Sequence, residues 1–150
     1  MATQNLTRDV DGLRNQKKGV CVAATTVTYD EILTSGDSYE LFVLPENAII
    51  MSASILVKTA SNSATSASVD LGYAGSDVLI DGGNLKSTAG TVLSGGTNAV
   101  VPGSDTGTGK TVTFKHTFTG APTAGEFVVV IEYIEYTKNT GEYTEYSATA

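Results

Sequence analysis

The sequence holds few of the residues that most catalytic or metal-binding sites require. Its 150 residues include one cysteine, Cys21, one histidine, His116, and no tryptophan. A single cysteine excludes an intrachain disulfide and a thiolate zinc cage, and one histidine does not complete the usual zinc ligand sets. We therefore expect no metal and no cofactor, and we expect Cys21 to be a small core residue.

Long apolar runs are missing as well. No stretch approaches the roughly 20 apolar residues that span a bilayer. The first residues also lack the apolar segment of a signal peptide. We expect no membrane partner, and we expect the chain to fold in a reducing cytoplasm.

Charged residues are scarce, at 17% of the chain, and they are unevenly placed around a net charge of −7. Residues 1–18 carry four basic and two acidic side chains, whereas the remainder carries five basic and fourteen acidic ones. A body this acidic is repelled by nucleic-acid phosphates and by anionic lipids. The composition therefore predicts no nucleic-acid partner.

From Val20 onward, apolar and polar residues alternate with a period of two, which indicates β-strands with one face in a core. In the clearest run, residues 49–59, the odd positions beginning with Ile49 and Met51 are predicted to point inward. The run 126–137 is apolar on both faces, which is typical of a central strand or of one that a neighbouring subunit covers. The predicted strands are 20–29, 39–44, 49–59, 67–73, 78–81, 98–101, 111–119 and 126–137, with a turn at Asp81-Gly82-Gly83.

This pattern predicts an all-β fold, a jelly-roll-like β-sandwich of about eight strands with an extended or partly helical N-terminal arm. We expect the arm at residues 1–19, the β-sandwich domain at 20–138 and a polar C-terminal tail at 139–150. Within the arm, Leu6, Val10 and Leu13 have helical spacing, and this narrow apolar stripe must lie on its own domain or on a partner. A frayed terminus is the alternative.

Two fragments resemble catalytic or nucleotide-binding motifs but lack the surroundings that those motifs need. Residues 107–111 end like a phosphate-binding loop, yet Ser104 stands where the first glycine belongs and a strand pattern follows in place of a helix. Residues 105–107 spell the aspartic-protease triplet, but no apolar strand precedes them to fix the loop. Neither fragment indicates an enzyme.

The remaining polar candidates fit a structural protein better than an enzyme. His116 lies between Phe114 and Phe118 on the apolar side of a predicted strand, with no nucleophile motif near it. We predict a partly buried histidine at the edge of the core or at a subunit interface. The acidic residues of the predicted loops match no calcium-binding pattern; these are Asp70, Asp77, Asp81 and Asp105. We predict that the protein is not an enzyme.

Four tyrosines near the C-terminus alternate with glutamates. Tyrosine rings can stack on sugars or form a subunit interface, and the interface is favoured here. The predicted interface residues are His116, Tyr133, Tyr136, Tyr143 and Tyr146.

Two segments resemble small virion proteins of tailed bacteriophages. The first is a strand that ends in Leu44-Pro45, continues through residues 46–50 (Glu-Asn-Ala-Ile-Ile) and leads into a long strand ending at residues 58–60. The second is residues 122–126 (Pro-Thr-Ala-Gly-Glu), which open the last predicted strand. The resemblance covers residues 39–137, and it implies a capsid decoration (cement) protein with a jelly roll or similar β-fold that forms trimers on the head shell.

The resemblance also implies where the protein acts and what it contacts. The expected partners are the major capsid protein and further copies of the chain in a homotrimer, on the capsid surface of a virion assembled in the host cytoplasm. The predicted capsid-contact residues lie in the arm: Leu6, Arg8, Val10, Leu13, Arg14, Lys17 and Lys18. The alternative is a head-fibre, spike or tail-associated subunit with glycan-binding capacity. A secreted carbohydrate-binding module is disfavoured, since such modules usually need secretion and exposed tryptophan or tyrosine, and the sequence shows no signal peptide and no tryptophan.

Overall fold

A computed structural model of the chain describes residues 19–45, 48–73, 79–95 and 110–135. These residues form eight strands and one short 3₁₀ turn at Tyr29–Glu31. The strands are β1 (Cys21–Thr28), β2 (Ser38–Leu44), β3 (Ala48–Thr59), β4 (Ser66–Tyr73), β5 (Ile80–Asn84), β6 (Val92–Ser94), β7 (Lys110–Thr119) and β8 (Glu126–Glu135). The described part of the chain contains no helix that is long and apolar enough to span a membrane.

The strand order is that of a jelly roll. Strands β1-β8-β3-β6 form a first sheet and strands β2-β7-β4-β5 form a second. Four antiparallel pairs are nested, with β4 beside β5, β3 beside β6, β2 beside β7 and β1 beside β8, so the chain is one long hairpin rolled over a common core. Two sheets connected in this way are the double Greek-key arrangement. The predicted jelly-roll-like sandwich is confirmed.

The core lies between the two sheets and is formed by alternate residues of each strand. Phe114 of β7 and Phe127 of β8 stack across it, with their ring centroids 6.3 Å apart. In β4 the side chains of Ala67, Val69 and Leu71 are buried, as the alternation predicts. The other buried apolar residues are Val27, Ile32, Leu44, Ala48, Ile50, Ala53, Ile55, Val57, Leu79, Ile80, Leu85, Val112, Val129 and Ile131.

A β-bulge in β3 reverses which residues face the core. Ile50 and Ser52 pair with adjacent residues of β8, so Met51 is an extra residue in the ladder. The prediction that Ile49 and Met51 point inward is therefore wrong: Ile50 is fully buried and Met51 is 41% exposed. One added residue shifts a two-residue repeat by one position, and a run of consecutive apolar residues hides this shift in the sequence.

The fifth and sixth strands also differ from the prediction. Strand β5 continues through the predicted turn, because Gly82 adopts a left-handed φ of 62° and forms a bulge opposite Asp70. The Gly82 N–H donates to Asp70 Oδ1 at 2.9 Å. This aspartate, a candidate loop ligand in the sequence, therefore satisfies the backbone of the neighbouring strand. Strand β6 lies in a segment predicted as loop, and the predicted strand 98–101 lies outside the described residues.

At one end of the sandwich, which we call the closed end, the connections β1–β2, β3–β4, β5–β6 and β7–β8 are tied to one another. Asn62 holds two of them together. Its Oδ1 accepts hydrogen bonds from the N–H groups of Thr123 and Ala124 at 2.8 and 3.0 Å, and its Nδ2 donates to Thr123 Oγ1 at 2.8 Å. Gly120 is needed here, because its φ is 84° and a Cβ would lie 2.7 Å from the Cβ of Ala64.

The opposite end, which we call the open end, is where the chain leaves the described residues. Strand β1 begins there, β8 ends there, and the connections β2–β3, β4–β5 and β6–β7 join their strands there. Segments 1–18 and 136–150 are thus attached at the same end of the sandwich. Both lie outside the described residues, so the boundaries of the arm, the β-sandwich domain and the tail stay predictions.

The bulge in β3 predicts opposite sensitivities at two neighbouring residues. We expect Ile50→Ala to reduce the free energy of unfolding by about 2–5 kcal/mol, because it leaves a cavity in the core. We expect Met51→Gln to change it by less than about 0.5 kcal/mol, because this side chain points outward. Urea unfolding of both variants measures these free energies. A larger loss of stability for Met51→Gln than for Ile50→Ala would show that Met51, and not Ile50, points into the core.

The closed end generates a second prediction. We expect Asn62→Ala to cost about 0.5–1.5 kcal/mol, because the exposed N–H groups of Thr123 and Ala124 exchange their acceptor for water. The matched control is Asn62→Asp, which keeps the oxygen acceptor and loses only the donor to Thr123 Oγ1, so its cost should be clearly smaller. Equal losses in urea unfolding would show that the two accepted hydrogen bonds do not stabilise this end.

Candidate interaction surface

The structure offers little support for chemistry at the residues that resembled motifs. Lys110 and Thr111 begin strand β7, so a strand follows the glycine-rich segment where a phosphate-binding loop would need a helix. Residues 96–109, which include Asp105, lie outside the described residues. Within the described ranges, no three histidine, cysteine or acidic side chains lie together in a way that could hold a metal ion.

His116 lies inside the sandwich, with its side chain fully buried by its own chain. The ring contacts that of Phe118 at a centroid distance of 4.7 Å, and Nδ1 lies 3.3 Å from the carbonyl oxygen of Ile32. Because a carbonyl can only accept, the neutral ring carries its proton on Nδ1. Nε2 has no hydrogen-bond partner among the described residues.

The burial of His116 agrees with its predicted place on the apolar side of the strand, and its membership of a subunit interface stays a prediction. The role of His116 is to anchor the β1–β2 connection, since Ile32 accepts from the ring and the Gly36 N–H donates to the His116 carbonyl oxygen at 2.7 Å. Burial lowers the pKa of His116 below 6.5, and the hydrogen bond to Ile32 opposes that effect only in part.

Cys21 and Tyr133 are cross-strand neighbours near the open end, where β1 and β8 pair. Cys21 is exposed and free, so the expectation of a core cysteine is wrong. Tyr133 is partly buried; burial raises its pKa, and so do the nearby Cys21 and Glu135. The other predicted interface residues, Tyr136, Tyr143 and Tyr146, lie outside the described residues, as do the predicted capsid-contact residues of the arm. The interface at Tyr133 stays a prediction.

The outer side of the first sheet carries apolar residues on each of its four strands, interrupted by polar residues such as Thr26, Ser54 and Glu132. Opposite residues of an antiparallel pair project to the same side, so Val128 of β8 stands in one row with Leu56 of β3 and Val92 of β6. In the neighbouring row Val130 stands beside Ala24 of β1. We call this surface the apolar face, and its residues are Val22, Ala24, Ile49, Leu56, Val92, Val128, Val130 and Ile134. Val22 is 59% exposed and Val92 is 58% exposed.

The outer side of the second sheet has the opposite character. Its central rows place threonine against serine, as in Thr117 beside Ser68, and a basic against an acidic side chain, as in Lys115 beside Asp70. Val43 is the large apolar residue exposed on this side. A sheet that faces water normally looks like this one, with polar residues outside and apolar residues inside.

The contrast between the two sheets identifies the apolar face as the candidate interaction surface of the molecule. Large contiguous apolar surface on a protein typically marks a binding site. The sequence held the signal in the run 126–137, which is apolar on both faces. Strand β8 is indeed central, since β1 and β3 flank it, yet its outer residues remain only partly covered. The central position is therefore confirmed, and a cover by a neighbouring subunit stays a prediction.

Comparison with known proteins extends this description. No family model matches the sequence, and no curated protein matches it. Among solved structures, a chain of the cyanophage Pam1 capsid asymmetric unit aligns with a TM-score of 0.62 and 18% identity, covering 78% of this chain and 85% of its own. A chain of the acid-stable capsid of Helicobacter pylori bacteriophage KHP30 aligns with a TM-score of 0.61 and 14% identity, covering 81% and 94%.

A chain of the capsid of Ralstonia phage GP4 aligns with a TM-score of 0.55 and 18% identity, covering 82% of this chain and 86% of its own. The likeness shows a shared fold. All three structures are phage capsids, so the resemblance to virion proteins predicted from the sequence is confirmed at the level of the fold.

The buried imidazole predicts how stability depends on pH. Because the folded pKa of His116 lies below 6.5, the unfolded chain takes up a proton first as the pH falls, and stability is lost below about pH 6.5 by at most about 1.4 kcal/mol per pH unit. We expect His116→Asn, which keeps a donor near the position of Nδ1 but does not titrate, to flatten this dependence. Urea unfolding at several values between about pH 7 and pH 5 measures it, and equal slopes for both proteins would contradict the assignment.

Proposed function

We propose that the chain is a capsid decoration, or cement, protein of a tailed bacteriophage that binds the outside of the head shell and stabilises it. The observation that carries the proposal is the shared jelly roll: the alignment extends over most of this chain and most of the matched chains in three phage capsid structures. The described residues also offer no cluster for metal chemistry. A rigid sandwich with one apolar face fits a protein that works by contact.

The proposed partners are the major capsid protein and two further copies of the chain. The basic arm with its stripe of Leu6, Val10 and Leu13 is the proposed capsid contact. Support comes from the topology, since the arm and the C-terminal tail are attached at the same, open end of the sandwich. That arrangement lets the shell be contacted from one end while the closed end projects away from it.

Modest contacts suffice for such a protein, because a shell presents its binding site in many copies. If the copies form a trimer, three arms are linked through one assembly, and the second and third binding events become intramolecular. Avidity then replaces a large single interface. Tyr133 and the tyrosines of the tail are the proposed contacts within the trimer.

The proposal is tested by adding the purified protein to heads of the encoding phage that lack it. We expect co-sedimentation with the heads, saturation at a fixed number of copies per shell, and a higher temperature of head disruption. The protein lacking residues 1–18 should fold normally but bind at least tenfold more weakly. Full binding without the arm would contradict the arm contact alone, whereas the absence of binding by the full chain would contradict the decoration role.

Localisation on the intact virion separates the proposal from its alternative. Cryo-electron microscopy of the particle should place the protein on the head surface. Density confined to the tail or to isolated projections, together with glycan binding, would favour a fibre or tail-associated subunit instead.

A further inference from the structure

The apolar face lacks a cover among the described residues. It extends over four strands, with a polar contact at its closed-end border and another in the row of Val22 and Glu132. Toward the closed end, Lys58 Nζ lies 2.6 Å from Glu126 Oε1, which makes a closed ion pair between β3 and β8. Within the face, between the rows of Val130 and Ile134, the Glu132 carboxylate accepts a hydrogen bond from Ser52 Oγ at 3.1 Å. No basic side chain of the described residues pairs with Glu132.

A second copy packed face to face fits this surface poorly. Such a contact would bring two Glu132 carboxylates into one apolar layer without a counter-charge, and burying an unpaired carboxylate is costly. A suitable cover brings aliphatic side chains for the rows around Val128 and a positive charge for Glu132.

We propose that residues 1–18 of the same chain pack on the apolar face when the protein is free in solution. This segment is the basic part of an otherwise acidic chain, and it carries Leu6, Val10 and Leu13 at helical spacing. Arg14 and Lys17 follow that stripe in the connection to β1, a few residues before Val22, the cross-strand neighbour of Glu132, so either can reach its carboxylate. The segment therefore brings both the aliphatic groups and the charge that the face requires.

Attachment and reach permit this packing. Residue 18 joins Gly19, two residues before β1, and β1 is the outer strand of the sheet that carries the face. Residues 14–18 extend at most about 17 Å, enough to turn back over the sheet. A helix over residues 6–13 is about 12 Å long, and the axes of β1 and β3 are about 10 Å apart.

If the arm packs in this way, the apolar face and the shell compete for the same residues of the arm. The proposed capsid contact and the cover of the apolar face are the same residues, so binding to the shell releases the face, and the released face becomes available to a neighbour. The inference concerns the free chain and does not depend on the decoration role.

Disulfide trapping in the free, full-length protein tests the packing. The exposed Cys21 is first replaced by serine. In that background, Val10→Cys is combined with Ser54→Cys, which lies on the apolar face beside Val130. The matched control combines Val10→Cys with Ser68→Cys, which lies on the outer side of the second sheet. Both strand substitutions replace an outward-facing serine near the middle of a strand.

We expect the Ser54 pair to form an intramolecular disulfide at least tenfold faster than the Ser68 pair under mild oxidation. Adding Leu6→Ser and Leu13→Ser should reduce the Ser54 rate to that of the control, because the stripe is lost. Equal rates for the two pairs would overturn the proposal, and so would disulfide-linked dimers in place of the intramolecular product. No shell is present in this assay, so its failure leaves the decoration proposal standing, and loss of head binding leaves the trapping result standing.

Discussion

Strand β8 must satisfy two environments at once, and the rest of the molecule is arranged around it. Its inner residues Phe127, Val129 and Ile131 are fully buried and connect the two sheets. Its outer residues Val128 and Val130 form the middle of the apolar face. A strand of this composition cannot sit at the edge of a sheet or face water alone, so β1 and β3 flank it on either side. The same strand thus stabilises the core through its inner residues and forms the middle of the apolar face through its outer ones.

The sequence predicts those features that the order of apolar and polar side chains specifies by itself, and it misses those that depend on the backbone or on distant strands. Alternation in 67–73 and 111–119 located β4 and β7 with the correct inward faces, because a two-residue period follows directly from strand geometry. It failed at Met51, where the backbone inserts a residue and shifts the period, and at Gly82, where a left-handed glycine continues a strand in place of ending it. Bulges are decided by pairing with distant strands, which a local pattern does not contain.

The same contrast between local pattern and distant contacts holds for the candidate interaction surface. The sequence placed His116 on the apolar side of its strand but did not reveal that the β1–β2 connection closes over it, because that contact joins residues 84 positions apart. In the sequence, only the pattern of the last strand indicated an apolar outer surface. The extent of the apolar face depends on the order in which β1, β3 and β6 lie around β8. That order follows from the nested hairpins of the whole chain.

The topology determines which segments lie at each end of the sandwich. An even number of antiparallel strands returns the chain to the end where it began, so the arm and the tail leave together at the open end. The four connections at the closed end are then free to stabilise one another, as Asn62 does between β3–β4 and β7–β8. Under the proposed function, this arrangement lets the arm and the tail attach to a shell at the open end while the tied closed end keeps its fold. The apolar face lies between these ends, on the outer side of the first sheet, so a cover on it would lie close to the end where the arm is attached.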